Sequence, residues 1–389
     1  MNLDWMFREL RPVGETISIG IDSRAPENEL HRYFRDPMVF YQSGTAALAA
    51  ALMACKSARR INRPEVLLPA YACPDLLSAV NYAGLRPVLV DFEENRPWMS
   101  ITDLVSKVTA KTIAVIAVNF LGIPERLSEI RRIADERHIF LIEDRAQSLP
   151  ENSEEAPSCD LVVLSFGKGK PVALLHGGAL LIRRRELGQY VVRPAHDGSG
   201  GGFHAVGQYL KMAAYNLLIQ PRCYWFLKYI PLLRLGETRY KSLTAIEPMK
   251  PACMTVLERN IRNYYERKNR ASNIHGMLAS FNRHEIINLP EVCGRNGKKM
   301  LRYPLLLPSE TERNACLRLL KARGLGASMM YPGVLPVIKG VDLPYSAEDY
   351  PKAAAFAARL LTLPLHSDVT LDAVSEISTV FRQCLSAGY

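Results

Sequence analysis

The sequence lacks the patterns that would assign it to several common protein classes. None of its eight cysteines forms a CxxC pair, which argues against a zinc site and against a dense disulfide framework, so no metal site is predicted. No stretch reaches the roughly 18 consecutive apolar residues of a membrane span. The charged N-terminal segment MNLDWMFRELRPVGE lacks the apolar core of a signal peptide. Together these absences favour a cytoplasmic protein in a reducing compartment.

Apolar residues and positive charge are what the chain does contain. Its 389 residues exceed what one core usually holds, and we predict a large domain over 1–240 and a small domain over 241–389. Hydrophobic residues make up 48%, which favours a packed globular protein. The formal net charge of +10 is spread along the chain, and no zinc-finger, RNP-type or basic-helix signature is present. We interpret the charge as a solvated surface first and as attraction for phosphorylated substrates second, and we predict no nucleic-acid partner.

Short apolar runs alternate with helical patterns along the first half of the chain. Strands are predicted at 65–69, 87–92, 112–120, 139–144, 161–166 and 177–182. Helical patterns cover 76–82 and 126–137, and one continuous helical spacing covers 254–279. This alternation predicts an α/β fold with a mainly parallel central sheet. In such sheets ligands bind beyond the carboxyl ends of the strands.

Two residues at predicted strand ends have the chemistry that pyridoxal phosphate (PLP) requires. Lys170 follows the strand at 161–166, and Asp144 ends the strand at 139–144. Burial lowers the pKa of a lysine, which prepares its amine to attack a carbonyl and form a Schiff base. A carboxylate on the ring nitrogen keeps the PLP ring protonated, so that the ring can accept electrons from a carbanion. On spacing alone, however, Lys170 would be interpreted as a solvated loop lysine.

The motifs around both residues resemble those of the DegT/DnrJ/EryC1/StrS family of PLP-dependent aminotransferases. The segment EDRAQ at 143–147 matches the family pattern E-D-x-A-Q/H. Asp160, the pair SF at 165–166 and Lys170 match D-x-x-x-x-S-F-x-x-x-K, and GGA follows at 177–179. This register selects Lys170 over Lys168, which we interpret as a solvated turn residue. The resemblance covers most of 38–185 and 300–389.

The resemblance implies a fold-type-I PLP transferase with a smaller C-terminal α+β domain, acting as a homodimer. Lys170 would carry the cofactor and transfer protons, and Asp144 would bind the ring nitrogen. Gln147 would lie near the ring or its hydroxyl. The phosphate would be bound by Gly44 and Thr45, at the start of a helical pattern, and by Ser165. The implied reaction moves an amino group, usually from glutamate, to a nucleotide-linked keto-sugar in polysaccharide or glycan biosynthesis.

Two departures from the family pattern concern the cofactor ring and the partner subunit. An aromatic residue usually stacks on the ring at the position aligned with Cys73, whose side chain cannot stack. Tyr71 is either its substitute or simply a packed aromatic, and both interpretations are kept. The N-x-R-M segment through which family members contribute to the partner's site is not found. Residues contributed across the dimer are therefore unassigned.

The apolar segment 204–235 and the absence of these motifs keep other interpretations open. The segment is consistent with a dimer contact, a lid or an interfacial membrane anchor, and burial against a partner subunit is favoured. A PLP-binding protein without turnover, acting as a regulator or scaffold, is one alternative function. PLP-dependent sugar dehydration is another, but in those relatives a histidine replaces the lysine, and Lys170 argues against it.

Overall fold

The computed structural model describes residues 9–20, 30–151, 158–195, 202–228, 237–281 and 286–385. Ten strands are assigned there: β1 (Met38–Tyr41), β2 (Glu65–Pro69), β3 (Arg86–Val90), β4 (Thr112–Val118), β5 (Phe140–Asp144), β6 (Leu161–Ser165), β7 (Gly178–Ile182), β8 (Ile287–Asn288), β9 (Arg302–Leu306) and β10 (Leu360–Pro364). The α-helices are α1 (Gly44–Arg59), α2 (Asp75–Tyr82), α3 (Ile101–Lys107), α4 (Leu127–Glu136), α5 (Gly202–Leu218), α6 (Pro221–Lys228), α7 (Pro251–Glu266), α8 (Ala271–Leu278), α9 (Leu289–Val292), α10 (Glu310–Ala322), α11 (Pro351–Arg359) and α12 (Leu371–Leu385). No helix in these ranges is both long enough and apolar enough to span a bilayer.

A seven-stranded sheet in the order β1-β7-β6-β5-β4-β2-β3 forms the centre of the molecule. β6, β5, β4, β2 and β3 are parallel to one another, whereas β7 is antiparallel to both β1 and β6. The inner strands read as nearly continuous apolar runs such as TIAVIAV and LVVLS, and helices cover both faces of the sheet. The predicted α/β fold with a mainly parallel sheet is confirmed.

Helix α1 begins directly after β1 and lies against the centre of the sheet. Ser43 caps its start by accepting a hydrogen bond from the Ala46 amide at 3.1 Å, and Arg60 ends it in the left-handed conformation. Most of its first three turns are alanine or leucine and are buried. Because alanine side chains are short, the helix packs closely on the strands. Its N-terminus therefore reaches the carboxyl end of β6.

The helix predicted over 254–279 is two helices, α7 and α8. Arg267 leaves the helical conformation with ψ 135°, and the side chain of Asn269 accepts the Ala271 amide at 3.0 Å. The helical spacing continues across the break, but its apolar side chains enter different cores. Those of α7 pack with the large sheet, and those of α8 pack with the small one. The prediction of one continuous helix was wrong because spacing alone does not show this change of partner.

The second core surrounds the three-stranded antiparallel sheet β10-β9-β8. Helices α8, α10 and α12 cover it, and Leu10 from the N-terminal segment joins it. The division of the chain at residue 240 stays a prediction, since α7 lies beyond it and packs on the large sheet. Of the apolar segment 204–235, the described part forms α5 and α6, and residues 229–235 lie outside the described ranges.

Candidate active site

A cavity opens at the carboxyl ends of β4, β5 and β6. Most predicted site residues line it, with several that the sequence did not suggest. The lining consists of Gly44, Thr45, Leu48, Ala72, Cys73, Asp75, Leu76, Val118, Phe120, Asp144, Ala146, Gln147, Val163, Ser165, Lys170 and Tyr331. The structure thus brings Lys170, Asp144 and the start of α1 into one cavity, as the motif spacing predicts.

Asp144 is the buried acid of this cavity. Its Oδ1 accepts the Ala146 amide at 2.8 Å, and in the described part of the chain no hydrogen bond reaches Oδ2. Burial raises the pKa of Asp144, while the Ala146 amide and the ammonium of Lys170 act in the opposite direction. A positively charged hydrogen-bond donor bound at Oδ2 would favour the ionised form. The protonated ring nitrogen of PLP is such a donor.

Lys170 lies on a loop that backbone hydrogen bonds close at its base. Phe166 donates to Gly177 at 2.8 Å, and Leu174 donates to the carbonyl of Phe166 at 2.7 Å. Lys170 is half-buried and lines the cavity, whereas Lys168 is exposed and does not. The geometry therefore supports the register in which Lys170 is the cofactor lysine.

The first turn of α1 offers polar groups opposite Asp144. A Cβ placed on Gly44 would come within 2.6 Å of the Cβ of Ser165, so only glycine allows this close approach of helix and strand. Thr45 and Ser165 bring two hydroxyl groups to the same wall of the cavity. A helix N-terminus with nearby hydroxyls is suited to bind a phosphate. These residues fit the phosphate of PLP.

The structure places Tyr71 outside the cavity. Its side chain is 1% exposed and packs against four aromatic rings, those of Phe92, Phe120, Tyr331 and Phe356. Its hydroxyl lies 3.2 Å from the Met329 carbonyl and accepts the Tyr331 amide at 3.2 Å. Tyr71 thus has the surroundings of a packed aromatic, and this corrects its inclusion among residues that contact the cofactor ring.

Cys73 does line the cavity, at the position where family members have the stacking residue. Burial, together with the nearby carboxylate of Asp75, raises the pKa of its thiol to about 12. Cys73 is therefore a neutral thiol at physiological pH, and it forms a small apolar part of the cavity surface rather than acting as a nucleophile. The aromatic residues of the described cavity lining are Phe120 and Tyr331.

Gln147 connects the cavity floor to the C-terminal half of the chain. Its Oε1 accepts the Leu121 amide at 2.7 Å, and its Nε2 donates to the hydroxyl of Tyr331 at 2.8 Å. Sequence reasoning missed Tyr331 as a cavity residue. The Y-P pair at 331–332, which resembles a family element, was the available signal.

A buried set of polar side chains around Glu143 holds the backbone next to Asp144. Glu143 is fully buried and accepts hydrogen bonds from Asn119 at 2.9 Å and from Arg145 at 2.7 Å. The backbone N–H of Asn119 also donates to the carbonyl of Asp144 at 3.0 Å. These bonds join the ends of β4 and β5, so the backbone that carries Asp144 is held from two sides.

Comparison with known proteins agrees with this geometry. The model of the DegT/DnrJ/EryC1/StrS aminotransferase family matches residues 6–218 and 249–382. The chain belongs to this family. Enzymes of the DegT/DnrJ/EryC1/StrS family are PLP-dependent, and the cavity has the lysine, carboxylate and phosphate-binding groups that PLP requires. The family match omits 219–248, the stretch that contains α6.

Relatives within the family carry out more than one reaction. The UDP-N-acetyl-3-dehydro-alpha-D-glucosamine 3-aminotransferase of Acidithiobacillus ferrooxidans is 25% identical over 88% of this chain and 83% of its own length. The GDP-4-keto-6-deoxy-D-mannose 3-dehydratase of Yersinia pseudotuberculosis is 27% identical over 47% of this chain, which spans only half of that enzyme.

A solved structure shows the same fold. The PLP form of a Streptococcus pneumoniae protein described as a sugar aminotransferase is 19% identical, with a TM-score of 0.67. The alignment covers 96% of this chain and 93% of that protein. The fold-type-I architecture implied by the motifs is thereby confirmed.

Proposed function

We propose that this family member transfers an amino group from an amino acid, glutamate by family resemblance, to a keto-sugar linked to a nucleotide. The observation that carries the proposal is the placement of Lys170 and Asp144 in one cavity, beside the N-terminus of α1. The aminotransferase relative that matches most of the chain acts, by its name, on a UDP-linked dehydro-sugar, which supports this substrate class.

Each residue of the cavity has a distinct task in this proposal. When bound, PLP supplies an electron sink for the carbon that loses a proton. Lys170 would hold the cofactor and then move a proton at the Cα of the amino donor. Asp144 would bind the ring nitrogen, and the start of α1 with Ser165 would bind the phosphate. The apolar side chains of Val118 and Phe120 line the same cavity and would exclude water from it.

Sugar dehydration is the competing reaction within the family. In the dehydratases a histidine takes the place of the cofactor lysine, and this chain has Lys170 there. None of the residues that line the described cavity is a histidine. Transamination is therefore the reaction that the site favours. A role in PLP binding without turnover is the second alternative, and the spectrum described next distinguishes it.

An absorption spectrum of the purified protein with PLP will show whether the first half-reaction occurs. We expect a visible band on adding PLP, because Lys170 binds the aldehyde, and conversion of this band to the pyridoxamine form on adding glutamate. Protein that is first loaded with PLP and then reduced with borohydride serves as the control, because glutamate cannot displace a lysine whose bond to the cofactor has been reduced. A band that persists with every amino donor would contradict transamination and favour a binding role or dehydration.

We also propose that the protein acts as a homodimer and that α5 contributes to its interface. Val206, Leu210 and Leu217 of α5 are each more than half exposed, although the opposite side of the helix packs on the large sheet. A helix that is apolar on all sides is normally buried. The exposed face therefore supports burial against a second copy.

Charge introduced into this face should separate the dimer. We expect Leu210→Glu combined with Leu217→Glu to yield a monomer, because each unpaired carboxylate would have to be desolvated in the interface. Light scattering measures the change. Leu371→Glu, at an equally exposed leucine of α12, is the control and should leave the dimer intact. A dimer that survives the double change would exclude α5 from the interface.

The cysteines support a cytoplasmic location, which we also propose. All eight are free thiols, and Cys55, Cys159, Cys253 and Cys316 are buried. Proteins of oxidising compartments generally pair their cysteines in disulfides.

A further inference from the structure

One buried arginine differs from the others in having no counter-charge. Four arginines in the described part of the chain are buried: Arg11, Arg145, Arg302 and Arg313. Three of them pair with a carboxylate, in the ion pairs Arg11–Asp368, Arg145–Glu143 and Arg313–Glu310. Arg302, which is 4% exposed, forms no ion pair with any described residue. A buried charge without a partner is strongly destabilising, so its presence requires an explanation.

The guanidinium of Arg302 is incompletely hydrogen-bonded as well. Its Nη1 donates to Ser328 Oγ at 3.1 Å and approaches the sulfur of Met330 at 3.8 Å. Nε and Nη2 are buried and have no hydrogen-bond partner among the described residues. Burial lowers the pKa of Arg302 to about 10, which still leaves it charged at neutral pH. Two free N–H groups on one edge of the guanidinium are what a carboxylate or phosphate binds.

Arg302 lies next to residues that contact or line the active-site cavity. The Leu301 amide donates to the carbonyl of Leu121 at 3.0 Å, and Leu121 is bound in turn by Gln147. On the other side, Ser328 Oγ also accepts the Met330 amide at 3.1 Å. The next residue, Tyr331, lines the cavity. The sulfur that Arg302 Nη1 approaches, that of Met330, therefore belongs to the residue directly before a cavity residue.

We propose that Arg302 is a subsite for an oxyanion of a substrate, which enters past Tyr331. The oxyanion is either a carboxylate of the amino donor or a phosphate of the nucleotide-linked sugar. The chemistry of recognition is the same for both, since the planar guanidinium matches two oxygens of either group. This inference rests on the proposed aminotransferase function, because only then does the cavity take substrates with these groups.

Anion binding to the PLP-loaded protein tests the proposal without measuring turnover. Wild type, Arg302→Met and Arg302→Lys are titrated calorimetrically with 2-oxoglutarate and, separately, with UDP, GDP and dTDP. We expect Arg302→Met to bind either 2-oxoglutarate or the nucleoside diphosphates about 10–100-fold more weakly than wild type. This is the usual effect of losing a hydrogen bond between charged groups. Arg302→Lys should recover part of this loss, because it restores the positive charge without the two parallel N–H groups of the guanidinium. The affected class identifies the source of the oxyanion.

Thermal unfolding in a chloride buffer, with and without the anions named above, provides a second measurement. Arg302→Met should unfold at a higher temperature than wild type, because it removes an unpaired buried charge. Its unfolding temperature should no longer rise when the anion that binds at Arg302 is added. Arg313→Met, at a buried arginine with a carboxylate partner, should unfold at a lower temperature and keep the anion response. Should Arg302→Met prove insoluble, Arg302→Gln replaces it.

The proposal is overturned if Arg302→Met binds both classes of anion as wild type does, or if it destabilises the protein as Arg313→Met does. A failure of the underlying function is distinguishable, because it shows in the PLP absorption band of the wild type. Arg302 variants that keep this band and lose anion affinity would confirm a subsite in an intact cofactor site.

Discussion

Replacing Lys170 by alanine will abolish transamination and the visible band that PLP gives with the protein. The half-buried Lys170 lines the cavity, and it is the one lysine among the described lining residues. Proton transfer by a positioned side chain contributes about 10²–10⁴-fold to a rate, and here covalent attachment of the cofactor is lost as well. Single-turnover spectra with glutamate and equilibrium PLP binding measure the two effects separately.

Lys168→Ala is the matched control, two residues away on the same loop. Lys168 is exposed and lies outside the cavity lining, so we expect an unchanged band and unchanged turnover. Equal losses in both variants would mean that the loop as a whole is disturbed and would exclude the register that selects Lys170. Activity that persists in Lys170→Ala would exclude the proposed mechanism.

Asp144→Asn should lower the rate of the first half-reaction by about 10²–10³-fold, the usual effect of losing one electrostatic contact in an active site. Asparagine has the same shape and can still accept the Ala146 amide, so the local backbone is preserved. It cannot balance a positive charge on the ring nitrogen. Stopped-flow measurement of the glutamate half-reaction gives the rate, and the PLP band shows that the cofactor still binds.

Although Asp144→Asn should lower the reaction rate, it should raise the stability of the protein without PLP at high pH. Burial raises the pKa of Asp144, so the folded protein holds this proton more tightly than the unfolded chain. Stability without PLP therefore falls as pH rises through the interval between the unfolded and the folded pKa. Above that interval Asp144→Asn should be more stable than wild type, and below it the two should be alike. A variant less stable at every pH would indicate a structural role for Asp144.

The central sheet could be predicted from sequence because its inner strands are buried. In the strand FLIED, three apolar residues are followed by Glu143 and Asp144, so the cavity acid stands where the strand changes from apolar to acidic residues. The family motifs then selected Lys170 over Lys168. These signals are local, and they survive in a single sequence.

Features that depend on tertiary neighbours could not be predicted. Tyr71 has the same local sequence whether it faces the cavity or the cluster of rings that buries it. Nothing near Arg302 in the sequence shows that it lacks a carboxylate, because the acids that could pair with it are distant in the chain. The break between α7 and α8 likewise follows from a change of core, while the helical spacing continues across it.

The hydrogen bonds that close the loop from Phe166 to Gly177 also limit the conformations of Lys170 before any cofactor arrives. A chain segment whose ends are already fixed has little entropy left to lose when its middle becomes attached to a ligand. In the proposed function, a bond between Lys170 and PLP would therefore form and open without folding and unfolding the loop. Weakening the loop base should slow the exchange of lysine and amino donor while the chemistry of the proton transfer stays the same.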